Sequence, residues 1–184
     1  MYSSNSVTNL LIESTSFFSC KTSGSSGGAI YFYHGSGESV LYGVCGYDCS
    51  ANTNNQFGYI GVRSNPTSRN NVNYSSIVRC VSENSNSYYI LHLSNGKDCC
   101  QSINISTNKC YYRLIYFFIY QDYNIVTGLY SYSSFTDNIA TGSTCFYLWA
   151  NSNFEFKSCN ILRNTQGNLG SEGTFYTAGN VRID

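Results

Sequence analysis

This chain of 184 residues is poor in charge, poor in proline and without long apolar runs, and each shortage excludes something. Charged residues make up 11% of it and balance to a net charge of zero. That argues against electrostatic capture of nucleic acid or of an anionic membrane. Proline occurs once, so turns fall to Gly, Asn, Asp and Ser, the vocabulary of a β-rich chain. The most apolar stretch, "YYRLIYFFIY" from Tyr111 to Tyr120, is half the length of a membrane-crossing helix and carries Arg113, so no transmembrane segment is expected. The opening "MYSSNSVTNLLIESTS" lacks the basic and apolar regions of a signal peptide. The expectation is a chain kept inside the cell, or a piece of something longer.

What is present points to a folded β protein. Hydrophobic residues are 42% and aromatics 16%, enough for one domain with a sizeable core. The nine cysteines are Cys20, Cys45, Cys49, Cys80, Cys99, Cys100, Cys110, Cys145 and Cys159, an odd number, so at least one is free or pairs outside the chain. Buried apolar thiols are favoured, with isolated disulfides second.

No segment sustains helical apolar spacing, and three columns recur instead. The first is apolar-x-x-Asn, read at Cys49-x-x-Asn52, Val81-x-x-Asn84, Ile105-x-x-Asn108, Phe135-x-x-Asn138 and Ile161-x-x-Asn164, with Phe18-x-x-Lys21 as a variant first copy. The second is a short strand centred on Ile30, Ile60, Ile90, Ile115, Phe146 and Phe175, in steps of 30, 30, 25, 31 and 29 residues. The third is a polar residue leading into a strand, at Asn9, Ser39, Asn71, Asp98, Asn124, Asn153 and Asn180.

From Leu10 to Val181 the mean step is about 28 residues. Three strands at that period fit a parallel β-helix better than a propeller blade, and the Leu skeleton of a leucine-rich repeat is absent. Stacked coils place like residues on like at about 4.8 Å, so apolar columns form the core. The Asn column is expected at a corner, where Asn tolerates left-handed backbone and its amides bond along the axis. The coil between Val81 and Ile105 is the least regular, and a slip of one residue there exchanges faces.

"GGAIYF" at Gly27–Phe32, together with Phe135-x-x-Asn138, resembles the paired GGAI and FxxN motifs of the polymorphic outer membrane protein family. Similar repeats occur in surface proteins of parasitic protists such as trichomonads. The resemblance implies a right-handed parallel β-helix, usually displayed on a cell surface, with roles in adhesion and immune variation.

Candidate chemistry is sparse. Enzymatic β-helices that cleave acidic polysaccharides need clustered carboxylates with a basic residue nearby. Here Asp98, Asp122 and Asp137 fall in separate turns, and Arg182 with Asp184 closes a strand. His92 is placed in the column of Phe32, Val62, Phe117, Leu148 and Thr177, while His34 sits in a solvated turn. Neither has an evident nucleophile partner. Cys45-x-x-x-Cys49 and the pair Cys99 and Cys100 lack the matching ligands of a zinc site. Eighteen tyrosines alternate with apolar residues in "AIYFY" and "LIYFFIY". Shielding of a charge-poor β surface is favoured over a carbohydrate- or protein-binding stripe. Two sequons, at Asn73 and Asn104, match by chance in so Asn-rich and Ser-rich a chain.

The expectation is an all-β, right-handed parallel β-helix of about six coils of three short strands. It spans residues 1–184 as one repeat domain or as a fragment of a longer solenoid. The expected function is a non-enzymatic surface or secreted adhesion module binding a glycan or a host-surface protein. No cofactor, metal or catalytic residue is assigned. A pectate-lyase-like enzyme and a repeat fragment without activity of its own are the alternatives. Open ends make end-to-end self-association a further expectation.

Overall fold

The structure, a computed structural model, describes residues 9–33, 37–62, 67–82, 86–118, 127–149, 153–167, 173–177 and 179–184. Its strands stack in parallel into a β-helix with three faces. The first face holds seven strands, Leu10–Glu13, Glu38–Tyr42, Arg69–Asn73, Lys97–Gln101, Thr127–Ser131, Asn153–Lys157 and Asn180–Ile183, so the chain returns to it six times. The second face holds six, Ser16–Phe18, Cys45–Tyr47, Ser76–Val78, Asn104–Ser106, Ser134–Thr136 and Asn160–Leu162. The third also holds six, Ile30–Tyr33, Gly58–Gly61, Leu91–Ser94, Ile115–Phe118, Phe146–Trp149 and Phe175–Thr177. Two-residue strands bridge the second and third faces, as at Lys109–Cys110 and Ile139–Ala140. Every strand neighbour is one coil away, and the first-face register Leu10–Ser39–Asn70–Asp98 advances in steps of 28 to 31 residues.

Strands such as Leu10–Glu13, Glu38–Tyr42 and Asn153–Lys157 alternate between core and solvent, the period-two pattern of a pleated strand buried on one side. The inner columns of the first face are Leu10–Ser39–Asn70–Asp98–Gly128–Phe154–Val181 and Ile12–Leu41–Val72–Cys100–Tyr130–Phe156, the second continued by the exposed Ile183 on the last strand. The interior changes character along the axis. In the early coils aliphatic side chains such as Ile30, Leu41 and Val72 mix with Phe32 and Phe57, and in the later ones rings stack on rings. Phe146 stacks on Phe175 at 4.6 Å and Tyr130 on Phe156 at 4.9 Å. Where the third face narrows to Gly58, the ring of Phe57 turns inward beside Gly46, and a Cβ on Gly46 would collide with it.

The corners are left-handed, but not at the asparagines of the repeat column, although Asn55 and Asn95 elsewhere have φ of 56° and 61°. Between the first and second faces, Ser14, Gly43, Tyr74, Ser102, Tyr132 and Ser158 have φ of 45° to 62°. After the second face, Ser19, Asp48, Arg79, Thr107, Asp137 and Arg163 have φ of 49° to 56°. The Asn column stands one residue later and does something else. Asn108 Nδ2 donates to Asn138 Oδ1 at 3.0 Å, and Asn138 Nδ2 donates to Asn164 Oδ1 at 2.9 Å. The same oxygens accept the backbone N–H of the preceding coil, Cys80 on Asn108 at 2.8 Å, Asn108 on Asn138 and Asn138 on Asn164 at 3.1 Å. The ladder thereby satisfies buried backbone groups where the strand ladder is interrupted.

The register also corrects the first three copies of that motif. With Phe18 opposite Tyr47 and Tyr47 opposite Val78, the position held by Asn108, Asn138 and Asn164 is held earlier by Cys20, Cys49 and Cys80. The motif therefore starts at Phe17, Gly46 and Ile77, rather than at Phe18, Cys49 and Val81. Asn52 is exposed away from the ladder, and Asn84 lies outside the described residues. Cysteine fits the site because it is small and tolerates burial. On the third face the rung is Ile30–Gly58–Leu91–Ile115–Phe146–Phe175, so Ile60 comes two residues late and Ile90 one residue early. On the first face the polar lead-in residues are Asn9, Glu38, Arg69, Lys97, Thr127, Asn153 and Asn180; Asn124 lies outside the described residues.

Candidate binding face

Alternation on the third face aims one residue of each central rung outward. These are Tyr31, Tyr59, His92, Tyr116, Tyr147 and Tyr176, an unbroken aromatic column. Tyr31 stacks on Tyr59 at 5.2 Å and Tyr147 on Tyr176 at 4.6 Å, nearly parallel in both pairs. Between them Tyr59 meets His92 edge-on at 4.8 Å, His92 meets Tyr116 at 4.5 Å, and Tyr116 meets Tyr147 at 5.3 Å. Such offset and edge-to-face geometries are those that aromatic quadrupoles favour.

A second row flanks the middle of the column. Tyr88, Tyr89, Tyr111 and Tyr112 precede the strands at Leu91 and Ile115, and backbone bonds from Tyr112 N to Ser87 O and from Arg113 N to Tyr88 O hold the two segments together. Tyr89 stacks on Tyr116 at 4.6 Å and Tyr88 on Tyr112 at 4.5 Å. The Arg113 guanidinium lies 3.5 Å from the centre of the Tyr147 ring and 5.8 Å from that of Tyr116, a cation–π contact with its Nε buried.

His92 therefore belongs to the outward column and not, as its sequence position suggests, to the inner column of Phe32. Its ring is enclosed by Tyr59, Tyr89 and Tyr116, and its buried Nε2 has no hydrogen-bond partner among the described residues. Burial pushes its pKa down to about 3. A group neutral throughout the physiological range, with a pKa this far from the working pH, is poorly matched to acid–base catalysis. Burial also raises the phenols of Tyr59, Tyr89 and Tyr116, which stay protonated and able to donate.

The other sequence candidates disperse. Asp98 is sealed in the interior, where Asn70 Nδ2 donates to it at 3.1 Å and Ser39 in turn donates to Asn70 at 2.7 Å. Burial raises its carboxyl to about 7. Asp137 sits at an exposed corner, held below the usual carboxylate range by two bonds from Arg163 at 2.6 and 2.8 Å. Arg182 pairs with its own neighbour Asp184 at 2.8 Å. Asp122 and His34 lie outside the described residues. Cys45 is exposed while Cys49 is interior, and Cys99 and Cys100 point to opposite sides of one strand. No group of three metal-ligating side chains converges among the described residues.

A recess on the first face, lined by Asn71, Asn73, Cys99, Gln101 and Leu129, holds about 110 Å³. That is well short of the roughly 300 Å³ of a small-molecule site. No helix among the described residues is long and apolar enough to cross a membrane.

The aromatic column was partly visible in sequence. Tyr31, Tyr116, Tyr147 and Tyr176 each follow the large apolar residue of their strand, and only the shifted register hid Tyr59 and His92. No protein-family model matches this chain, and no curated protein or solved structure matches it either.

Proposed function

We propose that this chain is a non-catalytic β-helix scaffold whose third face binds a neutral, extended glycan, as an adhesion-type module displayed on a surface or secreted. One observation carries the reading: the aromatic column from Tyr31 to Tyr176. Six rungs at about 4.8 Å run for roughly 24 Å, the length of an oligomer rather than of a single sugar. The rings pack against one another, so Tyr31, Tyr59, Tyr116 and Tyr176 keep part of their surface open to solvent while His92 and Tyr147 are covered within the row. Tyrosine combines an apolar body with a polar handle, which suits a sugar with its C–H face and hydroxyl edge.

Electrostatics favours a neutral ligand. The described column carries no carboxylate, and the cation Arg113 beside it is laid on Tyr147. The raised phenols remain uncharged, each a donor and an acceptor. Stacked, mutually supporting rings are also held in place before a ligand arrives, which lowers the entropy lost on binding. The surface setting follows the GGAI and FxxN resemblance.

The test is a panel of neutral and acidic oligosaccharides probed with the wild-type chain and with a Tyr59→Phe/Tyr116→Phe double variant. That variant keeps the rings and removes two hydroxyls. Binding to a neutral oligomer, weakened about tenfold or more in the variant, is expected. Absence of any glycan binding, or binding that the variant leaves unchanged, would refute the reading.

A further inference from the structure

The ladder behind the second face changes chemistry halfway along the axis. In the later coils it is a run of amides; in the first three it is Cys20, Cys49 and Cys80 on successive rungs. The register is fixed on both sides of these residues, by Phe18 opposite Tyr47 and Tyr47 opposite Val78 before them, and by Lys21 opposite Ser50 after the first two. Cys49 Sγ donates to the carbonyl oxygens of Phe17 and Tyr47, both at 3.5 Å, Cys20 Sγ to that of Phe18 at 3.9 Å and Cys80 Sγ to that of Val78 at 3.8 Å. Adjacent rungs are about 4.8 Å apart, inside the Cα separations of about 4.4 to 6.8 Å that a disulfide spans.

The three thiols are not equivalent. Cys49 and Cys80 are fully buried, whereas Cys20 is half-buried and open to reagents. The interaction between their neighbouring thiols, with burial added at Cys80, holds Cys80 protonated and lowers the Cys49 thiol, whereas burial raises that of Cys20. The arrangement has an accessible entry thiol, a buried and more acidic thiol beside it, and a third thiol that lowers the pKa of the second.

We propose that Cys20 and Cys49 form an oxidation site, in which a low-molecular-weight disulfide such as oxidised glutathione converts the two thiols into an intrachain disulfide stapling the first two coils. The Cys20 thiolate attacks one sulfur of glutathione disulfide, forming a mixed disulfide and expelling one glutathione thiolate. The Cys49 thiolate then attacks the Cys20 sulfur, forming the Cys20–Cys49 bond and expelling the second. Two electrons pass to glutathione disulfide, and the two cysteine protons end on the glutathione released or in solvent. The staple supplies covalently what the amide ladder supplies by hydrogen bonds further along. It does not depend on what the third face binds.

The experiment equilibrates the folded chain with oxidised glutathione at pH 7, alkylates the remaining thiols, and maps the peptides by tandem mass spectrometry. A Cys20–Cys49 cross-link, about 2 Da lighter than the two free thiols, is expected to dominate. In Cys80→Ala, which leaves the third rung without a thiol, the cross-link should still form, with its second step about tenfold slower at pH 7 as Cys49 loses the neighbour that lowers its pKa. Cys20→Ser should abolish it and leave Cys49 unmodified, because Cys49 is shielded. A lasting glutathione adduct on Cys20, a dominant pair involving Cys45 or another cysteine, or full alkylation of both thiols after equilibration would each overturn the proposal.

Discussion

Replacing Asp98 by Asn tests the physics of the interior most directly. The carboxyl is 2% exposed, its Oδ1 accepts one bond from Asn70 at 3.1 Å, and burial lifts its pKa to about 7. In the unfolded chain an aspartate titrates near 3.9, so the difference is about 3 units, equivalent to about 4 kcal/mol at 1.36 kcal/mol each. The folded pKa is the raised one. The favourable contribution is therefore fully present below about pH 4, declines as the pH rises, and is gone above about pH 7. Asn cannot ionise and keeps an oxygen for Asn70, so the variant escapes that loss. Allowing for an imperfectly satisfied amide, Asp98→Asn should be more stable than wild type at pH 8 by about 2–4 kcal/mol and nearly equal to it at pH 4. For a chain of this size that corresponds to about 4–16 °C in Tm. Urea titrations at a series of pH values, followed by circular dichroism, read the gap directly. If the difference between the two proteins is the same at pH 4 and pH 8, the buried carboxylate is not what limits stability, and the reasoning fails.

Two further outcomes follow from the polar ladder and the aromatic column. Asn138→Ala removes a buried amide that makes four hydrogen bonds and orphans the Asn108 N–H, so a loss of about 3 kcal/mol or more is expected in urea denaturation, with Asn138→Cys milder because the earlier coils already accommodate cysteine there. His92, with its pKa down at about 3, should show no NMR titration between pH 5 and 8, and His92→Phe should be neutral to stabilising by about 1 kcal/mol because it removes the orphaned Nε2; a midpoint near 6.5 would contradict the enclosure by Tyr59, Tyr89 and Tyr116.

The winding of the chain was legible because three columns had to recur together, and the coil through Phe146, Asn153 and Ile161 satisfied all three by identity. Phe135-x-x-Asn138 and Ile161-x-x-Asn164 are true rungs because their apolar residue and their amide are both required where they stand. In the earlier coils thiols occupy the amide sites, and nearby asparagines such as Asn52 imitate the motif without its geometry. Residue identity misled there because the site selects for a small buried hydrogen-bonding group, which two residue types supply. On the third face, Ile90 and Leu91 are both buried, since the chain turns into the core just before the strand begins. Strict alternation fails at that point, and His92 inherits the wrong side. Ile60 was displaced by two residues, an even number, so its face was right although its rung was not. Loop lengths vary between coils, and counting along the sequence cannot absorb that variation. The hydrogen-bond register can.

The division of the inner ladder into thiols and amides also gives the molecule a direction. In a solenoid each coil touches only its neighbours, so cohesion is local and can differ from one end to the other. The coils joined by Asn108, Asn138 and Asn164 share that axial chain of amides with the ring-filled part of the core, around Phe135, Phe146 and Phe156. The coils carrying Cys20, Cys49 and Cys80 have a mixed core of aliphatic side chains with Phe32 and Phe57, and weaker thiol contacts. Opening should thus begin among the early coils while the later ones hold, and folding should run the opposite way, from an amide-bonded nucleus outward. The molecule would then behave as a zipper with one firm end, in which the redox state of the loose end decides how far it opens.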